Sequence, residues 1–390
     1  MKKQILSYLS LGQICDVQSG GTPSRHINAY WEKGNIPWVK ISDIKGKHLL
    51  GTDEYITRQG LENSSAKIFP KGTILYTIFA TLGETTILNI DAATNQAIAG
   101  INIHDQYKKI ILTDYLYYYL LSIKDIMCKV GRGVAQNNLN LKILRNVQVP
   151  VPTIEEQKKI IDTLSSIEKI MLVKDRQLSL LSNLVKSRFI EMFGHSDRPK
   201  VRLGECCIIN PKKSSDIRLV DNDLMVSFVS MSDVSEDGQI VTCNHKQYES
   251  VKSGFTYFSE NDVLFAKITP CMENGKGGIA KGLLNGIGFG STEFHVLRPI
   301  DQVSNSCWLY ELTSFPQFRQ AAEINMTGSA GQRRVPASFL ANYKVSLPPI
   351  SLQNQFADFV HQLDKSKMAI QKSLDELETL KKSLMQTYFG

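Results

Sequence analysis

Residues 149–157 read VPVPTIEEQ, and residues 345–353 read VSLPPISLQ. The two stretches lie 196 positions apart, and the same spacing relates identical residues from Gln136 to Gly194 with residues of the second half, without an insertion. Residues 136–194 therefore recur in one register. Such a duplication predicts two equivalent modules related by a pseudo-two-fold axis, and two similar modules most simply address a target that has two parts.

The composition is that of a globular protein. The chain has 390 residues, of which 42% are hydrophobic and 21% charged, so it is long enough for two or three domains and shows no bias toward disorder. No apolar run approaches the roughly 18 residues that a membrane span requires. This lack of a long apolar run predicts that the chain has no membrane partner. The seven cysteines are scattered and show no metal-ligand spacing, which indicates reduced thiols and a cytoplasmic location.

The net charge of +7 comes from the first half of the chain. Residues 1–194 contain 24 lysines and arginines against 17 acidic residues, whereas residues 195–390 contain 21 of each kind. A surplus of this size is compatible with a polyanionic partner but does not require one.

A helix of about 40 residues is predicted at the end of each repeat. The prolines before Thr153 and Ser351 force an extended backbone, and both residues are expected to cap the helix that follows. Gly194 and Gly390 are expected to end the two helices. At about 1.5 Å per residue each helix would be about 60 Å long and would hold the two halves well apart.

Apolar residues in both helices recur with alternating spacings of three and four, which predicts a heptad seam and an antiparallel coiled coil. The alternative is that each helix lines the core of its own domain. Lys174, Arg188, Lys367 and Lys381 interrupt the seam, where they would cost stability or mark the docking place of a partner. The seam residues are Leu164, Ile167, Met171, Leu178, Leu181 and Val185, followed by Val360, Leu363, Ile370, Leu374, Leu377 and Leu384.

Short β-rich runs separated by Gly, Asn, Asp and Ser precede each long helix, and they predict mixed domains. These regions match with a drifting offset, since Leu11 and Leu203 are 192 positions apart but Ser42 and Ser232 only 190. The framework is therefore shared while the loops differ. The predicted fold class is α+β, with a first domain at 1–153, a helix at 154–194, a second domain at 195–350 and a helix at 351–390.

We find no convincing catalytic or metal-binding motif. Asn210 and Pro211 resemble the Asn-Pro-Pro-aromatic motif of amino-methyltransferases, but the aromatic residue that stacks on a flipped base is missing. Asp43 and Lys45 suggest part of a nuclease metal site, yet no second acidic residue follows at suitable spacing. The sequence therefore predicts a protein without its own enzymatic activity, cofactor or metal.

Polar and basic loop residues suit DNA contact better. Arg pairs with guanine and Asn or Gln with adenine in the major groove, while Lys and Ser or Thr bind phosphates. The alternative for each residue is an ordinary solvated side chain. The candidates are Ser24, Arg25, Lys40, Ser42, Lys45, Thr81, Arg132, Gln136 and Asn137 in the first half and Lys212, Lys213, Lys267, Thr269, Lys276, Gln332, Arg333 and Arg334 in the second.

Several motifs resemble those of the specificity subunit of type I restriction-modification systems. They are the stretches GGTPS at 20–24 and IPWV at 36–39, the pattern Gly-x-x-x-x-Gln that ends at Gln136, and the pattern Pro-x-x-x-Glu-Gln that ends at Gln157. The second repeat departs from them, because it lacks the Gly-Thr-Pro motif and has Leu352 before Gln353.

The resemblance implies two target recognition domains joined by an antiparallel helical spacer. Each domain would read one half of a bipartite, asymmetric site in double-stranded DNA, and the helices would set the length of the unspecified gap. It also implies two modification (methyltransferase) subunits docked on the helices and restriction subunits that join the complex. S-adenosylmethionine, ATP and Mg would act in those partner subunits.

Two other functions remain open at this point. A stand-alone DNA methyltransferase or nuclease would methylate or cut DNA by itself. A coiled-coil scaffold that does not bind DNA would keep its function after charge reversal at Arg132, Arg333 and Arg334, whereas a DNA-binding protein would be weakened.

Overall fold

The computed structural model describes residues 5–390 except 133–137, 195–198, 214–215, 217, 220, 222, 241–243 and 330. Contacts divide the chain into two compact units. Unit 1 comprises Met1–Lys174 with Ser373–Gly390, and unit 2 comprises Asp175–Lys372. Within the described ranges, no helix is long and apolar enough to cross a membrane.

The first half of the chain contains short strands and helices followed by one long helix. The strands are β1 (Ile5–Ser10), β2 (Cys15–Ser19), β3 (Ile36–Val39), β4 (His48–Leu49), β5 (Tyr55–Ile56), β6 (Ile68–Phe69), β7 (Ile74–Thr77), β8 (Thr85–Leu88), β9 (Ala92–Thr94), β10 (Ile98–Ile103) and β11 (Gln148–Pro152). The helices are α1 (Leu11–Ile14), α2 (Arg58–Glu62), α3 (Thr113–Ser122), α4 (Lys124–Arg132), α5 (Leu141–Arg145) and α6 (Ile154–Phe193).

The second half repeats this order. Its strands are β12 (Lys200–Arg202), β13 (Cys207–Ile209), β14 (Met225–Val229), β15 (Asn244–Gln247), β16 (Thr256–Ser259), β17 (Val263–Ala266), β18 (Gly277–Ile279), β19 (Ile287–Gly290), β20 (Phe294–Pro299) and β21 (Lys344–Ser346). Its helices are α7 (Leu203–Cys206), α8 (Tyr248–Val251), α9 (Ser306–Ser314), α10 (Pro316–Ile324), α11 (Ala337–Asn342) and α12 (Ile350–Phe389).

The two units share one sheet topology, to which unit 1 adds β4 at the edge of its first sheet. In unit 1 the strand orders are β2-β10-β7-β8-β4, β5-β3-β9-β6 and β1-β11; in unit 2 they are β13-β20-β17-β18, β15-β14-β19-β16 and β12-β21. The central pair of the second sheet is parallel in both units, β3 with β9 and β14 with β19. The predicted α+β class with an internal repeat is confirmed, while the residue boundaries assigned to the four segments stay a prediction.

One strand at the centre of each unit is buried on both faces. In β7, Ile74 and Tyr76 belong to the cluster that contains α3, whereas Leu75 belongs to the cluster between the two sheets. Strand β17 repeats this arrangement, with Leu264 on the side of the second sheet. A strand covered on both faces requires an unbroken apolar run, which explains why these short segments show no polar alternation.

A buried glutamine connects the first long helix to the rest of unit 1. The Gln157 side chain is fully buried. Its Nε2 donates to the carbonyls of Ile110 (2.7 Å) and Pro152 (3.0 Å), and its Oε1 accepts from the Leu112 N–H (2.9 Å). All three bonds go to backbone groups ahead of α3 or α6, so the amide fixes the start of α6 against α3.

Unit 2 contains the same arrangement around Gln353, which is also fully buried. Its Nε2 donates to the carbonyls of Val303 and Pro348, each at 2.9 Å, and its Oε1 accepts from the Asn305 N–H at 3.0 Å. The glutamine that recurs at 157 and 353 therefore forms the same set of backbone bonds in both units.

The start of α6 and the end of α12 run antiparallel in unit 1. Lys381 binds Glu168 at 2.7 Å, and Glu168 also accepts a 2.7 Å bond from the Tyr118 hydroxyl. Leu164 and Leu384 pack in the same cluster. In unit 2 the end of α6 meets the start of α12, because the Phe193 and Phe356 ring centroids lie 5.4 Å apart. The predicted antiparallel pairing is confirmed.

Every residue predicted for the seam is buried or partly buried. The buried face is wider than the seam at the ends of α6, where Ile160 joins the core of unit 1 and Phe189 and Phe193 join that of unit 2. The helices therefore both pair with each other and line the domain cores.

Three of the cations that interrupt the seam have acidic neighbours. Besides the Lys381 pair, Arg188 lies 2.8 Å from Glu191 and Lys367 lies 4.0 Å from Asp364. Partly exposed pairs of this kind contribute about 0–1 kcal/mol, so they tolerate the charges without stabilising the seam much.

One of the two predicted caps is wrong. Thr153 caps α6, since its Oγ1 accepts from the Glu156 N–H at 3.3 Å. Helix α12 begins at Ile350, ahead of Ser351, and the Pro349 carbonyl accepts the bond from Gln353 N–H at 3.1 Å. Pro349 therefore occupies the capping position, two residues ahead of the serine.

The bonds of Gln353 predict a large effect on stability. We expect Gln353→Ala to lower the free energy of unfolding by about 2–4 kcal/mol, because three buried backbone groups lose their partner. Denaturant unfolding measures this loss, and hydrogen exchange should show faster exchange at the Asn305 amide. Exposed Gln355 on the same helix is the control, and Gln355→Ala should change stability by under about 0.5 kcal/mol. A similar value for both variants would contradict this role.

A buried carboxyl predicts a pH effect in unit 2. Burial raises the pKa of Glu311 on α9 to about 7, although nearby Lys367 and Lys186 lower it. Because the folded pKa exceeds the unfolded one, the contribution of Glu311 to stability is greatest below about pH 4.5 and is lost as the pH rises toward 7. Glu311→Gln should therefore raise the melting temperature more at pH 8 than at pH 5. An equal change at both values would contradict this.

Candidate DNA interface

Two glycines position the loop after β2 in unit 1. A Cβ at Gly20 would overlap the Thr94 carbonyl oxygen, and one at Gly21 would overlap the backbone of Ser65. The loop is then held by two indoles, since Trp38 Nε1 donates to the Gly21 carbonyl and Trp31 Nε1 to that of Ser24, both at 3.0 Å. The GGTPS and IPWV stretches are therefore parts of one structure.

This loop presents Arg25 beside Lys40. The Arg25 guanidinium carbon lies 3.6 Å from the centroid of the Trp31 ring, and its Nη2 binds Glu54 at 2.6 Å. Lys40 Nζ binds the other oxygen of Glu54 at 2.9 Å. Burial raises the pKa of Glu54, but the bonds from Lys40 and Arg25 outweigh it and hold that pKa below its usual value. With exposed Ser24, the structure brings three predicted contacts together.

Ser42 and Lys45 lie on the next turn. Both are exposed, and Ser42 follows β3 in a 3-10 turn at Ile41–Asp43. The Asp43 carboxylate accepts from the Lys40 N–H (3.0 Å) and from the Thr52 hydroxyl (2.8 Å). Asp43 is therefore a turn-stabilising residue, and Asp233 repeats this role in unit 2 by accepting from Ser230.

Thr81 belongs to a different loop, between β7 and β8. The Leu139 N–H donates to the Ile78 carbonyl at 2.9 Å, so this loop adjoins the segment that precedes α5. Gln136 and Asn137, predicted for that segment, lie outside the described residues, as does the side chain of Arg132.

The matching segment is described in unit 2, where two loops pair. The Val335 N–H donates to the Lys267 carbonyl at 2.9 Å, and the Thr269 N–H donates to the Arg333 carbonyl at 3.0 Å. Gln332, Arg333 and Arg334 are thus held next to Lys267 and Thr269, and Gln332 is exposed. Five of the predicted contacts therefore form one surface.

Acidic residues partner the arginines of this surface. Glu293 accepts two bonds from Arg334, at 2.8 and 2.9 Å, and these bonds hold the pKa of Glu293 below its usual value. Arg333 lies 3.7 Å from Glu273, whose Oε1 also accepts from the Thr269 hydroxyl at 2.9 Å. Burial holds the pKa of Lys267 below its ordinary value.

Arg319 fixes the loop that carries Glu273. It is buried on α10 and donates to the carbonyls of Thr313 (2.7 Å), Met272 (2.9 Å) and Gly275 (3.2 Å). Burial lowers the pKa of Arg319 to about 10. We did not predict this residue, although a charged side chain three positions before Ala322 on an apolar helix face was a usable signal.

The remaining predicted contacts lie elsewhere. Lys213 Nζ donates to the Lys252 carbonyl, and Lys276 Nζ donates to the Met231 carbonyl at 3.0 Å, so both tie loops together. Lys212 is exposed beside Lys213. Asn210 has a φ of 51° and its Oδ1 accepts from the Val296 N–H at 3.0 Å. Asn210 therefore has a structural role, since it binds the backbone of β20.

Among the residues that the structure describes, no group of three or more His, Cys, Asp or Glu residues would hold a metal ion. The two interfaces consist of arginines and lysines beside glutamates, on different loops of two similar units. Such surfaces suit the phosphates and base edges of a nucleic acid.

Comparison with known proteins identifies relatives of one kind. The type I restriction enzyme EcoEI specificity subunit of Escherichia coli is 37% identical over 197 residues, which cover 48% of this chain and 32% of that protein. The EcoAI specificity subunit of the same species is 38% identical over 185 residues, or 46% and 31%. The MjaVIII specificity subunit of Methanocaldococcus jannaschii is 21% identical over 90% of this chain and 88% of its own length. The chain thus matches about a third of the length of the first two relatives.

Solved structures share the fold along the whole chain. One, from work on the assembly and conformational transition of the type I R-M system, has a TM-score of 0.58 at 18% identity and covers 98% of this chain and 97% of its own. The type I restriction-modification S subunit of M. genitalium has a TM-score of 0.53 at 12% identity and covers 100% and 98%.

A family model also matches the chain twice, at residues 7–181 and 196–380. These two matches include both units and nearly the whole sequence. The chain belongs to the family of type I restriction modification DNA specificity domains and contains two of them.

Proposed function

We propose that the chain is the non-catalytic specificity subunit of a type I restriction-modification complex, in which each unit reads one half of a bipartite, asymmetric site in double-stranded DNA. The observation that carries the proposal is the duplication of one DNA specificity domain on a shared topology with different surface residues. A repeated scaffold supplies two readers, and different side chains give them different targets.

The two units differ at equivalent places. Trp38 in β3 lies near Arg25, whereas its counterpart Phe228 in β14 lies 3.6 Å below the Nζ of Lys246. The first unit places Arg25 after β2 and Lys40 after β3, whereas the second places Lys267 after β17 and Arg334 before α11. Because the two units present different hydrogen-bond donors on one framework, an asymmetric DNA site fits them better than two identical half-sites.

Arg25 has the chemistry of a base-reading residue. Glu54 engages its Nη2, and Nε and Nη1 carry further donors. A guanidinium presents its donors as a planar fork that matches the O6 and N7 acceptors of guanine. Stacking on Trp31 fixes the plane of the fork, which reduces the entropy lost on binding.

We further propose that modification subunits dock on the long helices. Helix α6 exposes Leu180, Leu184 and Ile190 in unit 2, and Leu172 and Val173 in unit 1. Exposed apolar residues at helical spacing suit a protein partner better than water. In this proposal two such subunits methylate DNA with S-adenosylmethionine, restriction subunits use ATP and Mg, and the complex acts in the cytoplasm.

Two observations disfavour an independent methyltransferase or nuclease. The carboxylate of Asp43 is used within its own turn, and the Asn210 side chain holds the backbone of β20. A scaffold that does not contact DNA would not require two arginine-rich loop clusters on the same framework.

The proposal is tested with the full chain and its co-expressed modification subunit. We expect a randomised duplex pool, after retention and sequencing, to yield a motif of two parts with a constant unspecified gap. Arg25→Ala should weaken the readout of one part by about 1–3 kcal/mol, while Arg58→Ala, which removes an exposed cation of the same unit, should not. Retention without a motif would contradict the proposal.

A further inference from the structure

In each interface a glutamate carboxylate binds an arginine, and a lysine lies beside it. Glu54 binds Arg25 and Lys40 at 2.6 and 2.9 Å. Glu293 binds Arg334 through both carboxylate oxygens, and its peptide carbonyl accepts from the Lys267 N–H at 2.9 Å. We propose that Glu54 and Glu293 determine specificity by occupying Arg25 and Arg334 until the correct base edge replaces the carboxylate. This inference rests on the proposed function.

The arrangement is not a consequence of the duplication. Glu54 directly precedes β5, whereas Glu293 directly precedes β20, and these strands belong to different sheets of the repeated topology. The arginines also come from different loops, after β2 and before α11. Two unrelated sets of positions thus produce the same combination of charges.

The carboxylates weaken binding to DNA of any sequence. An arginine, a lysine and a glutamate carry a net charge of +1, whereas the two cations alone carry +2. Affinity for the phosphate backbone follows the number of cations that displace counterions, with a slope of about 0.9 in log affinity against log salt for each phosphate. A cation that already pairs with a carboxylate therefore adds little to the affinity for the phosphate backbone.

The correct base can displace these carboxylates from the arginines. Arg334 presents Nε and Nη2 to the two oxygens of Glu293, which is the fork geometry that guanine O6 and N7 also accept. A guanine edge therefore replaces both bonds at once, whereas a wrong base leaves donors unpaired in a desolvated interface. Only the correct base therefore replaces every hydrogen bond that the arginine loses when the carboxylate leaves.

Neighbouring groups hold each arginine while its carboxylate is exchanged. Arg25 stacks on Trp31 and lies 4.9 Å from the Trp38 ring. The Nη1 of Arg334 donates to the Gln332 carbonyl at 3.2 Å. Both side chains thus keep their orientation without the glutamate, so the carboxylate is free to yield.

The experiment compares Glu54→Gln and Glu293→Gln in the full chain with its co-expressed modification subunit. Affinity is measured against salt for the duplex selected by the wild type and for a random-sequence duplex of equal length. We expect each variant to bind the random duplex about tenfold more tightly, with a salt slope steeper by about 0.9, and to lose about tenfold in discrimination. Pool selection should show that each variant relaxes a different half of the site.

Controls separate this effect from charge and from folding. Glu155→Gln and Glu205→Gln remove exposed carboxylates of units 1 and 2 and should leave discrimination within about twofold. Glu54→Asp and Glu293→Asp keep the charge and should keep the wild-type salt slope, even where the Gln variant folds poorly. Folded Gln variants with an unchanged slope and unchanged discrimination would overturn this inference alone. A wild-type chain that selects no motif would overturn the proposed function as well.

Discussion

A buried glutamine amide at the start of each long helix is the bond set on which both units depend. Gln157 and Gln353 each bind three backbone groups, and each joins a long helix to the helix that covers the central sheet. An amide supplies two donors and an acceptor in a fixed plane, so neither a hydroxyl nor a carboxylate would replace it. The orientation of each domain relative to its own helix ends follows from these bonds.

Around this constant framework the loops vary. The first unit anchors a glycine loop with two indoles and presents Arg25, whereas the second pairs two loops and presents Arg333 and Arg334. Both solutions place arginine next to glutamate. The conserved interior gives the units one architecture, and the variable surface gives them different chemistry.

The repeat, the long helices and the fold class were predictable because proline, glycine and heptad spacing act locally. The partners of the predicted cations were not predictable from the sequence. The pairing of β-strands brings together three residues that are separated in sequence, namely Arg25, Lys40 and Glu54. The clusters at Arg25 and at Arg334 combine predicted cations with glutamates and a tryptophan that no short pattern indicates. The sequence also did not indicate that Lys213 and Lys276, both predicted to contact DNA, each bind a backbone carbonyl.

The central claim is that each unit reads its half-site independently on an antiparallel helix pair. The most direct measurement replaces residues 195–346 with a second copy of residues 1–150 and selects the bound sequence from a randomised duplex pool. The account predicts an inverted repeat of the half-site that belongs to the first unit, because the internal duplication predicts a pseudo-two-fold axis between the two copies. A direct repeat, or the unaltered wild-type motif, would contradict it.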